Sequence, residues 1–455
     1  MTLPLTVLAF VVALSVLIVI HEFGHYWVAR RCGVKVLCFS VGFGRTLWSR
    51  TFGADRTELR IALIPLGGYV KMLDEREEDV APHELHRAFN RKTVWQRVAI
   101  VAAGPLANFL AAIILYWALF VSGMPGMLPI VGQPVENSIA ARAGFAAGDT
   151  VLRVDDEEVP SWQDFRWIML QRALDRDPVR IEVRTEQQVR AVRDLQFEGV
   201  TSKDLEGDLL GALGFARFRV ALPPVIGEVV SGGAAARAGL QPGDLVVAVD
   251  GNVIDTWDAV VTRVRASPDR ELEFRVRRGA VDLPAISVVP ERVNGAGSVF
   301  GRIGAGPRLD EQVMQKFRTE VAYGPVEGLV KAAAKTWETA LFSLRMLGKM
   351  LVGEMSLKNL SGPITIADYA GQSAQNGWIS YMLFLALISI SLGVLNLLPV
   401  PLLDGGHLMY YSVEILTGKP VSERVMEIGQ QIGMTLLFAL MAFAFYNDIH
   451  RLVSS

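Results

Sequence analysis

The chain has 455 residues, 51% hydrophobic and only 20% charged, with a mean hydropathy of +0.32. Soluble chains average roughly 25% charged, so this composition excludes intrinsic disorder and argues against a purely soluble protein. Lys plus Arg number 45 against 47 Asp plus Glu, a net charge of −2, so no global basic field recruits nucleic acid.

Crossing a hydrocarbon core about 30 Å thick takes about 20 mainly apolar residues in a helix. The first such run, Leu3 to Ile20, is broken only by Pro4, Thr6 and Ser15. No Lys or Arg precedes it and no small-x-small cleavage site follows, which favours a span over a signal peptide. The basic residues Arg30, Arg31 and Lys35 come after it. Arg91, Lys92 and Arg97 stand before a second run, residues 98–121, whose most polar member is Asn108. Positive-inside logic places residues 31–97 in the cytoplasm and the N-terminus outside. Cys32 and Cys38 then lie where thiols stay reduced, and two cysteines make no disulfide framework. Within this loop Leu59, Ile61 and Leu63 alternate between glycine-bearing stretches, Val41–Gly44 and Gly67–Gly68. That pattern suits a β-hairpin whose edge strand offers unpaired backbone groups; an ordinary cytoplasmic hairpin fits it too.

The second span runs outward, so residues 122–380 are expected outside. They contain a duplication. Ala140–Asp149 aligns with Ala235–Asp244 at a constant spacing of 95 residues, and Trp162 aligns with Trp257 in the same register. A fixed offset over such a length marks two copies of one unit. Each copy predicts a turn, a strand at Val151–Val154 or Leu245–Val249, a tight turn, and a helix near the tryptophan. Gly144 and Gly239 suit helix C-caps or positive-φ turns. Residues 311–380 follow. In 312–358 the apolar residues recur at spacings of three and four, as in Val326, Leu329, Val330, Ala333 and Trp337, which predicts an amphipathic helix lying at a membrane surface or packed on protein. A third span, residues 381–404, returns inward. A fourth, residues 428–446, is diluted by Gln430 and Gln431 and puts the C-terminus outside.

At the end of the first span stands His21-Glu22-Phe23-Gly24-His25. Residues four apart share a helix face, so both imidazoles can reach one zinc ion, with Glu22 placed beside them as a base. A catalytic zinc needs a third protein ligand and an open position. His83 and His86 sit in an acidic loop, and His450 is near the external end. Asp404, in the Asp-Gly-Gly turn closing the third span, arrives on the same side as His21 and His25. His407 is the alternative ligand there; otherwise it caps the helix or hydrogen-bonds to a residue that binds the metal. Ionisable groups beside hydrocarbon are costly and point to function.

The His21-Glu22-x-x-His25 motif and the segment Asn396-x-x-Pro399-x-Pro401-x-x-Asp404-Gly405 together resemble the site-2 protease family of intramembrane zinc metalloproteases. Gly104–Asn108, Ser361–Ile364 and Val421–Arg424 also match, and the likeness covers essentially the whole chain. The repeats resemble bacterial PDZ domains, over residues 126–220 and 221–310. The resemblance implies a multi-span α-helical membrane protein with four transmembrane helices, two tandem α+β PDZ domains and a membrane-associated β-hairpin, in a bacterial inner membrane. It implies one zinc ion per chain on His21, His25 and Asp404, with Glu22 catalytic. Substrate would be held unwound by Asn396, Pro399 and Pro401, and by the hairpin around Ile61, Leu63, Gly67 and Gly68. The implied substrates are single-span proteins: an anti-sigma factor already trimmed outside by a first protease, and remnant signal peptides. The implied partners are these substrates, membrane lipids and peptide ligands of the PDZ units, with no nucleic acid. Against this stand two other readings: a membrane-tethered PDZ adaptor with a structural metal, and a metal transporter, which would need polar residues along several spans.

Overall fold

The computed structural model describes residues 3–218, 222–295, 298–356 and 362–454. Ser361 of one matching segment, and the expected junction between repeats at residues 220 and 221, lie outside the described residues. The chain divides into two compact units, one of Met1–Met124 with Val321–Ser454, the other of Pro125–Glu320.

The first unit is a helix bundle. Four of its helices are long and apolar enough to cross a membrane: α1 (Leu3–Arg31), α2 (Val94–Ser122), α7 (Trp378–Leu397) and α9 (Glu423–Ser454). In a lipid environment helices gain little from excluding water, so close packing of small residues holds them together. The α1–α2 crossing follows this rule. A Cβ on Gly24 would lie 2.8 Å from both the Ala103 carbonyl carbon and the Ala107 Cβ. His25 meets Ile100 and His21 meets Asn108 across this crossing, so α1 and α2 are antiparallel. Asn108 in turn meets Ser389 of α7, and Pro105 meets Gly393. The first and third spans therefore run the same way, opposite to the second. Tyr381 of α7 donates to the Ala9 carbonyl of α1 at 2.7 Å, which fixes their relative depth.

Between α1 and α2 lies a long hairpin, β1 (Val36–Phe52) and β2 (Thr57–Met72). It is folded back on itself. Cys38–Val41 face Gly68–Lys71 and also Glu58–Ile61, while Trp48–Phe52 pair with Ile61–Thr57. Positive-φ glycines at 42 and 44 allow the fold-back in β1.

The third span ends earlier than the pattern predicts. Helix α7 stops at Leu397, a loop follows, and Asp404 opens a separate helix, α8 (Asp404–Thr417). The amphipathic stretch is not one helix. Residues 311–315 form a short helix, 318–321 a strand, and the long helix α5 begins at Pro325 and ends at Leu351. Proline favours a helix N-terminus, where its missing N–H costs nothing. A second helix, α6 (Pro363–Gln375), is capped by a residue from α9: Asp448 accepts from the backbone N–H groups of Gly362, Ile364 and Thr365 at 2.9–3.2 Å. Helix α6 packs its Ile366, Ala370 and Ala374 on Ala9, Ala13 and Leu17 of α1.

The other unit holds the two repeats. The first has a four-stranded sheet in the order Glu157–Glu158, Thr150–Val154, Val179–Arg184, Arg190–Leu195, with helix α3 (Trp162–Asp175) over it. The second has Leu245–Val249 and Leu272–Arg278 at its centre and helix α4 (Trp257–Arg265). Local chemistry repeats with the sequence. Gly144 and Gly239 have φ of 83° and 86°, and Asp155 and Asp250 have φ of 51° and 49°. Asp149 and Asp244 are both buried and accept from the N–H groups of Ala146 and Gln241. Each repeat has its own apolar core, around Phe165 in one and Phe274 in the other.

Candidate metal centre

His21 and His25 lie on one face of α1, 8% and 9% exposed. Their Nε2 atoms are 3.3 Å apart. Asp404 Oδ2 lies 3.2 Å from His21 Nε2 and 3.4 Å from His25 Nε2. Asp404 Oδ2 is buried without a hydrogen-bond partner. These three atoms make a nearly equilateral triangle. A tetrahedral zinc with ligands at about 2.0–2.1 Å holds its ligand atoms about 3.4 Å apart. The spacing of the three atoms therefore fits three ligands of one zinc ion. Among the described residues no fourth His, Cys, Asp or Glu joins the group.

Each of the three side chains is held from behind. His25 Nδ1 is 2.9 Å from the Ile100 carbonyl, to which it donates; this leaves the Nε2 lone pair free for a metal. His21 Nδ1 is 3.1 Å from the Asn108 amide. Asp404 is the first residue of α8, where the helix dipole favours a carboxylate. The loop before it folds tightly over Gly405 and Gly406, where a Cβ would meet the backbone of Leu397 and of Val400–Pro401. His407 stays outside the ligand group. Burial lowers its pKa below the ordinary histidine value, and Asp404 opposes that shift. His83 and His86 are exposed.

Glu22 follows His21 directly. The Val70 backbone of β2 runs beside its carboxylate. A Cβ on Gly68 would lie 2.8 Å from the Ser40 carbonyl oxygen, 2.9 Å from Ile18 Cγ2 and 3.1 Å from Glu22 Cγ, so only glycine lets the strand approach this closely. Ile61 and Leu63 stand exposed on β2, at 44% and 58%, and Gly67 packs against the Phe43 ring. Asn396 is in the last turn of α7, and Pro399 and Pro401 are in the loop before Asp404.

Two residues escaped the sequence reading. Asn108 stood out only as the most polar member of its span, yet its amide lies 3.1 Å from His21 Nδ1. Gly104 had no role; a Cβ there would lie 2.5 Å from His25 Cε1 and 2.9 Å from His21 Cε1. A lone amide in an apolar span is itself a signal of function, whereas Gly104 carries none without the partner helix.

Two helical histidines, a carboxylate from a distant segment and an adjoining glutamate, set in a bundle of membrane-length helices, define an integral-membrane metalloprotease. The chain belongs to peptidase family M50, whose model matches residues 9–440, the site-2 proteases that the motifs resemble. It is 44% identical over 446 residues to the "Regulator of sigma E protease" of Salmonella typhi, covering 98% of each chain. It is also 44% identical over 445 residues to the "Regulator of sigma-E protease RseP" of Escherichia coli (strain K12), again 98% of each chain. A "Putative zinc metalloprotease" of Vibrio cholerae is 40% identical over 452 residues and 98% of each chain.

Proposed function

We propose that this protein is a zinc-dependent intramembrane endopeptidase of the bacterial inner membrane that cuts the transmembrane segment of single-span proteins. The triangle of His21, His25 and Asp404 beside Glu22 carries the reading. Relatives named as regulators of sigma E support a role in envelope-stress signalling. An anti-sigma factor trimmed by a first protease is then the substrate, with remnant signal peptides as a second class. By the charge pattern the cut falls near the cytoplasmic face and releases a cytoplasmic fragment. Termini and repeats then face the periplasm.

Zinc, when bound by His21, His25 and Asp404, supplies a Lewis acid for the scissile carbonyl and acidifies water. Glu22 accepts a proton from the attacking water and delivers it to the leaving amine. A helical substrate hides its carbonyls in internal hydrogen bonds and must unwind first. The folded hairpin, with Ile61, Leu63, Gly67 and Gly68, pairs with the unwound backbone as an added strand. Asn396, Pro399 and Pro401 hold it from the other segment. The repeats act as PDZ-type size filters on the substrate's outer part.

Replacing Glu22 by Gln separates an enzyme from an adaptor. The expected result is retained zinc with loss of cleavage of a single-span reporter; retained cleavage overturns the role of Glu22. For the filter, deleting residues 126–310 is expected to admit an untrimmed substrate, and continued refusal of it removes the idea.

A further inference from the structure

Asn108 is fully buried, and its two amide atoms are unequally treated. Nδ2 lies 3.1 Å from His21 Nδ1, while Oδ1 has no hydrogen-bond partner. An amide NH2 group can only donate. Facing Nδ1, it requires Nδ1 to be bare, which puts the ring proton on Nε2. Nε2 is the atom turned toward His25 Nε2 and Asp404 Oδ2, and a protonated Nε2 has no lone pair for a metal. Turning the amide through 180° exchanges its two ends, which are nearly isosteric. Oδ1 then accepts from Nδ1–H, the NH2 group takes over the end without a partner, and the Nε2 lone pair points into the triangle. His25 already has the equivalent arrangement through the Ile100 carbonyl. The backbone carrying Asn108 is itself held, since Ser389 Oγ of α7 donates to the Asn108 carbonyl at 2.8 Å.

We propose that Asn108 is a positioning residue that selects the metal-binding tautomer of His21 by accepting its Nδ1 proton. The proposal rests on the metal-centre reading above. Outer partners of this kind are worth about 10–100-fold in metal affinity. Amphipathic packing of α2 against α1 would need only the shape of the side chain. Tautomer selection needs an acceptor at that point.

The test measures zinc dissociation constants by chelator competition, on the full chain in detergent micelles. It compares wild type, Asn108→Leu, Asn108→Asp and Asp404→Ala, with thermal unfolding of each metal-free form. Asn108→Leu keeps the volume and removes the acceptor, so affinity is expected to fall about 10–100-fold. Asn108→Asp keeps an acceptor and is expected to bind at least as tightly as wild type. Wild-type affinity in Asn108→Leu overturns the proposal, as does a fall of more than about tenfold in Asn108→Asp. The second criterion stands alone if the leucine variant fails to fold. A wild type that binds zinc no better than Asp404→Ala overturns the metal centre itself, a result readily told apart from the other two.

Discussion

Gly104→Ala adds one methyl group where α2 presses on both histidines. The new Cβ would lie 2.5 Å from His25 Cε1, nearer still to its Nε2, and 2.9 Å from His21 Cε1. Carbon atoms prefer about 3.5–4.0 Å, so the His25 ring must move by about 1 Å or more, or the helices must part. Neither is easy. His25 is tied to the Ile100 carbonyl by Nδ1, and the crossing is closed by Gly24 against Ala103 and Ala107. Overpacking of this kind costs about 1–3 kcal/mol, but the larger effect is on chemistry. A misplacement of about 1 Å in a reacting constellation costs about 100-fold in rate. The expected outcome is a fall of at least about 100-fold in cleavage of a single-span reporter, with reduced zinc content and modestly lowered thermal stability. The assay is reconstituted cleavage in detergent or liposomes, with metal analysis of the same preparation. Gly104→Ala cutting at the wild-type rate with full zinc would refute the reasoning, because it would mean the two helices do not meet where these side chains demand.

Asp244 is fully buried, and burial alone would raise its pKa, but Arg278 at 2.7 and 2.8 Å and the Gln241 N–H hold it below the ordinary value. A lowered native pKa stabilises the fold above the unfolded value of about 3.9 and loses that stability as pH falls through the native one. Asp244→Asn is expected to cost about 1–3 kcal/mol at neutral pH, with the gap to wild type closing below about pH 4; a pH-independent gap in unfolding curves would contradict this. Asp448 is buried and caps α6 with bonds to Gly362, Ile364 and Thr365. Asp448→Ala is expected to cost about 2–3 kcal/mol and to expose residues near α6 to proteolysis; unchanged digestion would count against the cap.

Much was legible in the sequence because it is local. Apolar run length marks membrane helices, four-residue spacing puts His21 and His25 on one face, and the constant spacing of the repeats carries their turns, strands and helices with it. Asp404 was reachable only by adding charge-based topology and family likeness, since no local pattern links it to α1. The fold-back of the hairpin, the strand inside the amphipathic stretch and the α6 cap from Asp448 came from pairings between segments far apart in the chain. So did Gly104 and Asn108. Periodicity says which face of a helix is apolar, but not at which turn two helices cross. That crossing point, set by Gly24 against Ala103, decides whether an amide in α2 is a buried spacer or the partner of an imidazole on α1.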